Sequence, residues 1–138
     1  MKKIVLDTNA YAAFLAGDLR VLQALASAEI IFMSVFVLGE LFAGFRCGSR
    51  ERDNRNLLER FLRKPPVHVL HASIETANVF GMLKAALKEA GTPLPINDVW
   101  IAAHAMETGA VLVSYDQHFE KIIGLRLWET TAQGNTDI

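Results

Sequence analysis

The chain has 138 residues, enough for one hydrophobic core and too few for a second. With 51% hydrophobic and 21% charged residues, its composition excludes a disordered chain and fits a packed globular domain. A formal net charge of −1 excludes nucleic-acid binding driven by bulk positive charge, although a local patch can still serve.

Ile4-Val5-Leu6 reads as a short buried strand. Ala10 to Leu15 has helical character, Gly17-Asp18 interrupts it, and Leu19, Leu22, Leu25 and Ala26 recur at the spacing of a second helix. Ile30 to Met33 predicts a second strand. Ser34 stands where it can cap the next helix, which runs to about Phe45 and is apolar nearly all round apart from Glu40. Gly48 to Lys64 reads as a charged amphipathic helix ended by Pro65-Pro66. Val67 to Leu70 is a third strand. A long helix from Ser73 to Lys88 is stopped by Gly91 and Pro93, and another from near Asn97 to Glu107 by Gly109. Val111-Leu112-Val113 predicts a fourth strand, followed by a helical turn and room for an edge strand at Leu125 to Trp128. Strands alternating with helices imply a single α/β domain over residues 1–130, with a short, mostly parallel sheet of four to five strands and about seven helices. Residues 131–138 form a polar tail.

The single cysteine, Cys47, allows no intramolecular disulfide and suits a reducing compartment. Met1 to Asn9 lacks the apolar stretch of a signal peptide, and no segment approaches the ~20 apolar residues of a membrane span. The expected location is therefore the cytoplasm, with no membrane partner.

Most of the 15 acidic residues fit an ordinary solvated position, among them Glu51, Asp53 and Glu59 in the charged helix. Four stand in apolar company. Asp7 follows Ile4-Val5-Leu6, Glu40 interrupts Phe36 to Ala43, Asp98 lies between Pro95-Ile96 and Val99-Trp100-Ile101, and Asp116 follows Val111-Leu112-Val113. A carboxylate among apolar neighbours is costly without a partner, and a divalent cation is a strong one. Asp7 and Asp116 fall just past strand ends, the edge where open α/β sheets place ligands. Asp98 falls at a helix start, and mid-helix Glu40 has the longer reach. Oxygen donors without Cys or clustered His favour Mg²⁺ or Mn²⁺ over zinc. The plain structural roles are a helix cap for Asp98, a turn cap for Asp116 and an Arg46 ion pair for Glu40. Singly each acid fits either account; together they favour a cluster.

Asp7-Thr8-Asn9 after a strand, Glu40 in an apolar helix, Asn97-Asp98-Val99-Trp100-Ile101-Ala102-Ala103-His104-Ala105, and Leu112-Val113-Ser114-Tyr115-Asp116 with His118-Phe119 form an ordered set. From residue 3 to about 128 this set resembles the PIN domain, and more closely the VapC toxins of toxin–antitoxin pairs. Asp7, Glu40, Asp98 and Asp116 fall on that family's metal-binding acids. Asn9 falls where the family often has a polar residue, and Ser114 where it usually has threonine, with the hydroxyl kept. The resemblance implies a Mg²⁺-dependent endoribonuclease toxin acting on RNA, a homodimer, and a VapB-like antitoxin partner. Asp7 and Asp98 are expected as principal ligands, with Asp116 and Glu40 completing the site or orienting water.

Residues 46–64 carry seven cationic side chains (Arg46, Arg50, Arg52, Arg55, Arg60, Arg63 and Lys64) against three acids. A solvated helix face laced with ion pairs explains this stretch, and a phosphate-tracking surface starting at Arg46 and Arg50 competes with it. His118 is expected at the surface, His104 as a packed histidine, and His68 and His71 are poorly spaced to share one zinc. Competing functions are a PIN-type RNA-processing nuclease, a flap-type DNA nuclease, and a domain that binds RNA or a partner without cutting. A phosphatase-like domain would want Asp-x-Asp after the first strand, where this chain has Asp7-Thr8-Asn9.

Overall fold

The computed structural model describes residues 2–129, so the polar tail expected at 131–138 lies outside the described residues. Four strands, β1 (Lys3–Leu6), β2 (Ile30–Ser34), β3 (Val67–Leu70) and β4 (Val111–Val113), form one sheet in the order β3-β2-β1-β4. Every pairing is parallel. Around the sheet lie α1 (Thr8–Leu15), α2 (Leu19–Ser27), α3 (Val35–Cys47), α4 (Glu51–Leu62), α5 (Ile74–Ala90) and α6 (Ile96–Thr108), with a 3₁₀ turn at Gln117–Lys121. The expected α/β class holds, with six α-helices and the 3₁₀ turn among the described residues. The proposed edge strand shrinks to one bridge between Leu112 and Leu127. None of these helices is long and apolar enough to cross a membrane.

A parallel sheet covered on both faces must be apolar on both faces. Ile4, Val5, Leu6, Leu112 and Val113 are accordingly fully buried. α6 contributes Ile101, Ala102, Ala103 and Ala105 to the same core. The small alanines let the helix backbone lie close to its neighbours. Helix α5 packs along α6, and buried Thr76 ties the two by donating from Oγ1 to Glu107 Oε1 at 2.7 Å. Gly91 and Gly109 end these helices in the left-handed conformation that costs glycine least.

The chain builds outward from β1 through β2 to β3, then returns to place β4 on the other side of β1. That reversal leaves a crevice beyond the carboxyl ends of β1 and β4, where Leu6 is in register with Val113.

His104, buried on α6, braces this edge from below. Its Nε2 lies 3.3 Å from the His71 carbonyl oxygen, which can only accept, so Nε2 carries the proton. Nδ1 then accepts from Ser34 Oγ at 2.9 Å. The Ser34 oxygen in turn accepts from the Phe36 amide and caps α3. Burial holds the His104 pKa below its ordinary 6.5, the His71 carbonyl opposing this. The unfolded chain therefore binds a proton that the folded chain resists. The stability contributed by neutral His104 is complete above about pH 6.5 and is lost as the pH falls through the depressed folded-state value. Urea titrations between pH 7 and pH 5 should show wild-type stability falling, with a shallower fall in His104→Gln; equal slopes would contradict the assignment.

Candidate metal centre

Asp7, the residue after β1, is only 5% exposed. Its carboxylate accepts from the Ala10 amide at 2.8 Å and so caps α1. Ser114, buried just after β4, provides a second hydrogen bond to Asp7 and accepts from the Asp116 amide at 2.9 Å. Trp128 holds that serine in place by donating from Nε1 to its carbonyl at 2.7 Å. The hydroxyl at 114 thus links two of the acids.

Asp98 sits in the first turn of α6, not at its cap, which is Pro95 without a side-chain hydrogen bond. Its carboxylate is therefore released from the capping role that its position suggests. Asp116 does cap, accepting from the His118 amide at 3.2 Å at the start of the 3₁₀ turn. Glu40 is exposed on α3 and accepts a short hydrogen bond from Thr8 Oγ1. The Arg46 partner considered for Glu40 instead faces Glu51 at 3.9 Å.

Asp7, Glu40, Asp98 and Asp116 line one cleft of about 320 Å³, together with Thr8, Asn9 and Pro95. The four acids and Asn9 therefore border one space, and among the described residues the donor atoms within 4.8 Å of one another are those of Asp98, Asp116 and His118. Apolar sequence neighbours pointed to all four acids, but only Asp7 is deeply buried. Helical periodicity turns Glu40 outward with Gly39 and Ala43, whereas Val37, Leu38 and Leu41 face the core. Asp116 is likewise open to solvent.

Burial raises the Asp7 pKa, with the charges of Asp98 and Asp116 adding to it against the hydrogen bonds from Ser114 and Ala10. Burial also raises that of Asp98, opposed by His118 and reinforced by Glu40 and Asp116. Helix N-termini at α1 and α6 offset part of this cost.

The surface position expected for His118 is wrong. Its side chain is 26% exposed, and its ring lies between two acids, with Nε2 at 2.9 Å from Asp98 Oδ2 and Nδ1 at 3.0 Å from Asp116 Oδ1. The Nε2 contact is short without the alignment of a hydrogen bond, which leaves a buried nitrogen without a hydrogen-bond partner. The ring is placed by Phe119, whose buried side chain anchors the turn and whose ring meets His118 edge-on at 4.8 Å. The signal was available in Asp116-x-His118-Phe119, since a buried aromatic fixes the residue before it. Thr8 was also passed over, although the residue after a capping aspartate begins the helix and cannot move far from it.

Carboxylate oxygens converging with an imidazole nitrogen that makes no aligned hydrogen bond suit a divalent cation, and one donor atom from each of Asp98, Asp116 and His118 falls within 4.8 Å of the others. Arg46 and Arg50 lie outside the cleft lining. Arg50 faces Asp53 at 3.7 Å, Arg55 faces Glu51 at 3.7 Å, and Arg63 faces Glu59 at 3.4 Å. This is the laced helix face of the plainer account. His68 and His71 are exposed and join no cluster among the described residues.

Asn caps a helix about as well as Asp. Asp7→Asn should therefore raise the melting temperature in EDTA at pH 7 by removing a buried charge. The gain should shrink as the pH falls and wild-type Asp7 takes up its own proton. An unchanged or lowered melting temperature in EDTA would contradict this balance.

A family model for the PIN domain matches residues 4–125. Ribonuclease VapC2 of Haemophilus influenzae is 32% identical over 131 residues, covering 91% of this chain and 96% of the relative. Among solved structures, VapBC2 from Rickettsia felis bound to a DNA fragment from its promoter superposes with a TM-score of 0.80 at 26% identity, covering 91% and 97% of the two chains. DNA-bound VapBC from Salmonella typhimurium gives a TM-score of 0.80 at 29% identity, covering 93% and 98%. The chain belongs to the PIN-domain family and, within it, to the VapC type.

Proposed function

We propose that this protein is a metal-dependent endoribonuclease that hydrolyses RNA phosphodiesters as the toxin of a type II toxin–antitoxin pair. The observation that carries this reading is the meeting of Asp7, Glu40, Asp98 and Asp116 in one cleft, in a chain 32% identical to a protein named as a ribonuclease. The neighbouring solved VapBC complexes support a VapB-like antitoxin as partner. A homodimer and a cytoplasmic setting are part of the same proposal.

In this reading the cleft holds Mg²⁺ or Mn²⁺. When bound, such an ion would neutralise the phosphate, activate the attacking water and stabilise the leaving oxygen. The chain's own groups supply position. Asp7, which lines the cleft, is held by the α1 cap and Ser114 before any ion arrives. Asp98 reaches the same space from α6, and Asp116 from the end of β4. Glu40, steadied by Thr8, is placed to orient water. Asn9, in the cleft wall, offers an amide to a phosphate or sugar oxygen. Asp7 and Asp98 are the principal ligands in this account, with Asp116 and Glu40 completing the set.

RNA must approach a cleft of like charge, so binding outside it depends on cationic side chains such as Arg46 and Arg50, whose ion pairs are exposed and long and therefore weak. Folded Asp98→Asn should lose at least about a hundredfold in Mg²⁺- or Mn²⁺-dependent cleavage of a sensitive RNA, and unchanged cleavage would sink the assignment. Replacing Arg46 and Arg50 by glutamine should weaken RNA binding and flatten its dependence on salt. If neither changes, the stretch is a solvated helix face only.

A further inference from the structure

The oxygen-only donor set read from the sequence omits the imidazole that the fold brings into the cluster. Three observations bear on it. The ring of His118 is inserted between Asp98 and Asp116, within 3.0 Å of an oxygen of each. Its Nε2 is buried and has no aligned partner. One donor atom from each of the three residues lies within 4.8 Å of the others, a spread that a single ion with ligand distances of about 2.0–2.3 Å spans with small adjustments.

Surroundings decide whether such a histidine can act as a ligand. A ligating imidazole is held by a partner on its other nitrogen, and that partner is commonly a carboxylate. His118 has this arrangement: Nδ1 faces Asp116, and Nε2 is left toward Asp98, which lines the cleft. The Phe119 ring limits rotation from one side, and the backbone is fixed by the Asp116 cap. The donor is thus oriented before any ion arrives.

Resting on the metal-site reading above, we propose that His118 supplies a nitrogen ligand through Nε2 and thereby biases the site toward Mn²⁺ over Mg²⁺. The chemistry is general. Mg²⁺ keeps oxygen ligands and water in a strict octahedron and gains little from imidazole. First-row transition ions accept imidazole readily, and Mn²⁺ combines that tolerance with the carboxylate preference set by Asp7, Asp98 and Asp116.

The test is pulsed electron paramagnetic resonance on the full chain loaded with Mn²⁺, with calorimetric titration of Mn²⁺ and Mg²⁺. The expected result is ¹⁴N modulation from one imidazole in the wild type, absent in His118→Ala. Mn²⁺ affinity should fall about tenfold or more in that variant, while Mg²⁺ affinity changes by less than about threefold. His118→Asp should keep an oxygen donor at this place, with the Mn²⁺-to-Mg²⁺ preference reduced. Mn²⁺ bound without ¹⁴N modulation would overturn the role of His118 and leave the carboxylate site standing. Equal losses for both ions in His118→Ala would overturn the selectivity. Failure of the wild type to bind either ion would overturn both the proposal and the metal reading beneath it. The wild-type spectrum requires no variant to fold.

Discussion

Asp7, Asp98 and Asp116 repel one another in a cleft whose walls have little freedom to move apart. Two unit charges about 4 Å apart repel by roughly 4 kcal/mol at an effective dielectric constant of 20, and Asp98 and Asp116 offer oxygens within 4.8 Å. Against this the apo protein can set helix N-termini, worth about 0.3–1 kcal/mol each, hydrogen bonds to Asp7 from Ala10 and Ser114, and the His118 ring between Asp98 and Asp116. The raised pKa values of Asp7 and Asp98 come first from burial, with this repulsion adding to it and His118 opposing it at Asp98, and a bound cation would relieve both.

The cluster persists because each acid is tied to something the core fixes. Asp7 cannot leave β1, whose Ile4, Val5 and Leu6 are fully buried at the centre of the sheet. Asp116 follows from β4 through Ser114, whose carbonyl is held by Trp128. Asp98 rides on α6, which is locked to α5 through Thr76 and Glu107 and to the ends of β2 and β3 through His104. The strand order puts β1 beside β4 and so creates the crevice that these acids border. Stability stored in the sheet and α6 thus sustains an arrangement that is locally unfavourable, a common way for functional sites to be held.

Much of this was legible in the residues. The apolar runs at Ile4 to Leu6, Ile30 to Met33, Val67 to Leu70 and Val111 to Val113 all became strands, because a buried parallel strand must be apolar throughout. Gly91 and Gly109 stopped their helices as glycine at a C-terminus should. Three-dimensional direction was harder to read. The apolar company of Glu40 suggested burial, yet one residue in a helix can face outward between buried neighbours on either side. Asp98 looked like a cap but lies in the first turn, since Pro95 sets where α6 begins. The role of His118 was hidden for a related reason: its partner Asp98 is 20 positions away in the chain, and only the closure of β4 against β1 brings them together. The edge strand expected at Leu125 to Trp128 has the right composition, but its ladder reduces to a single bridge beside the three-residue β4.

The chemistry of this cleft depends on whether a divalent ion occupies the space bounded by these acids. Anomalous diffraction from crystals grown with Mn²⁺ locates the ion without reference to activity. The predicted result is a peak between Asp98, Asp116 and His118, within coordination distance of Asp98 and reaching Asp7 directly or through water. A well-ordered cleft with no anomalous density at saturating Mn²⁺, or a peak confined to another part of the surface, would contradict it.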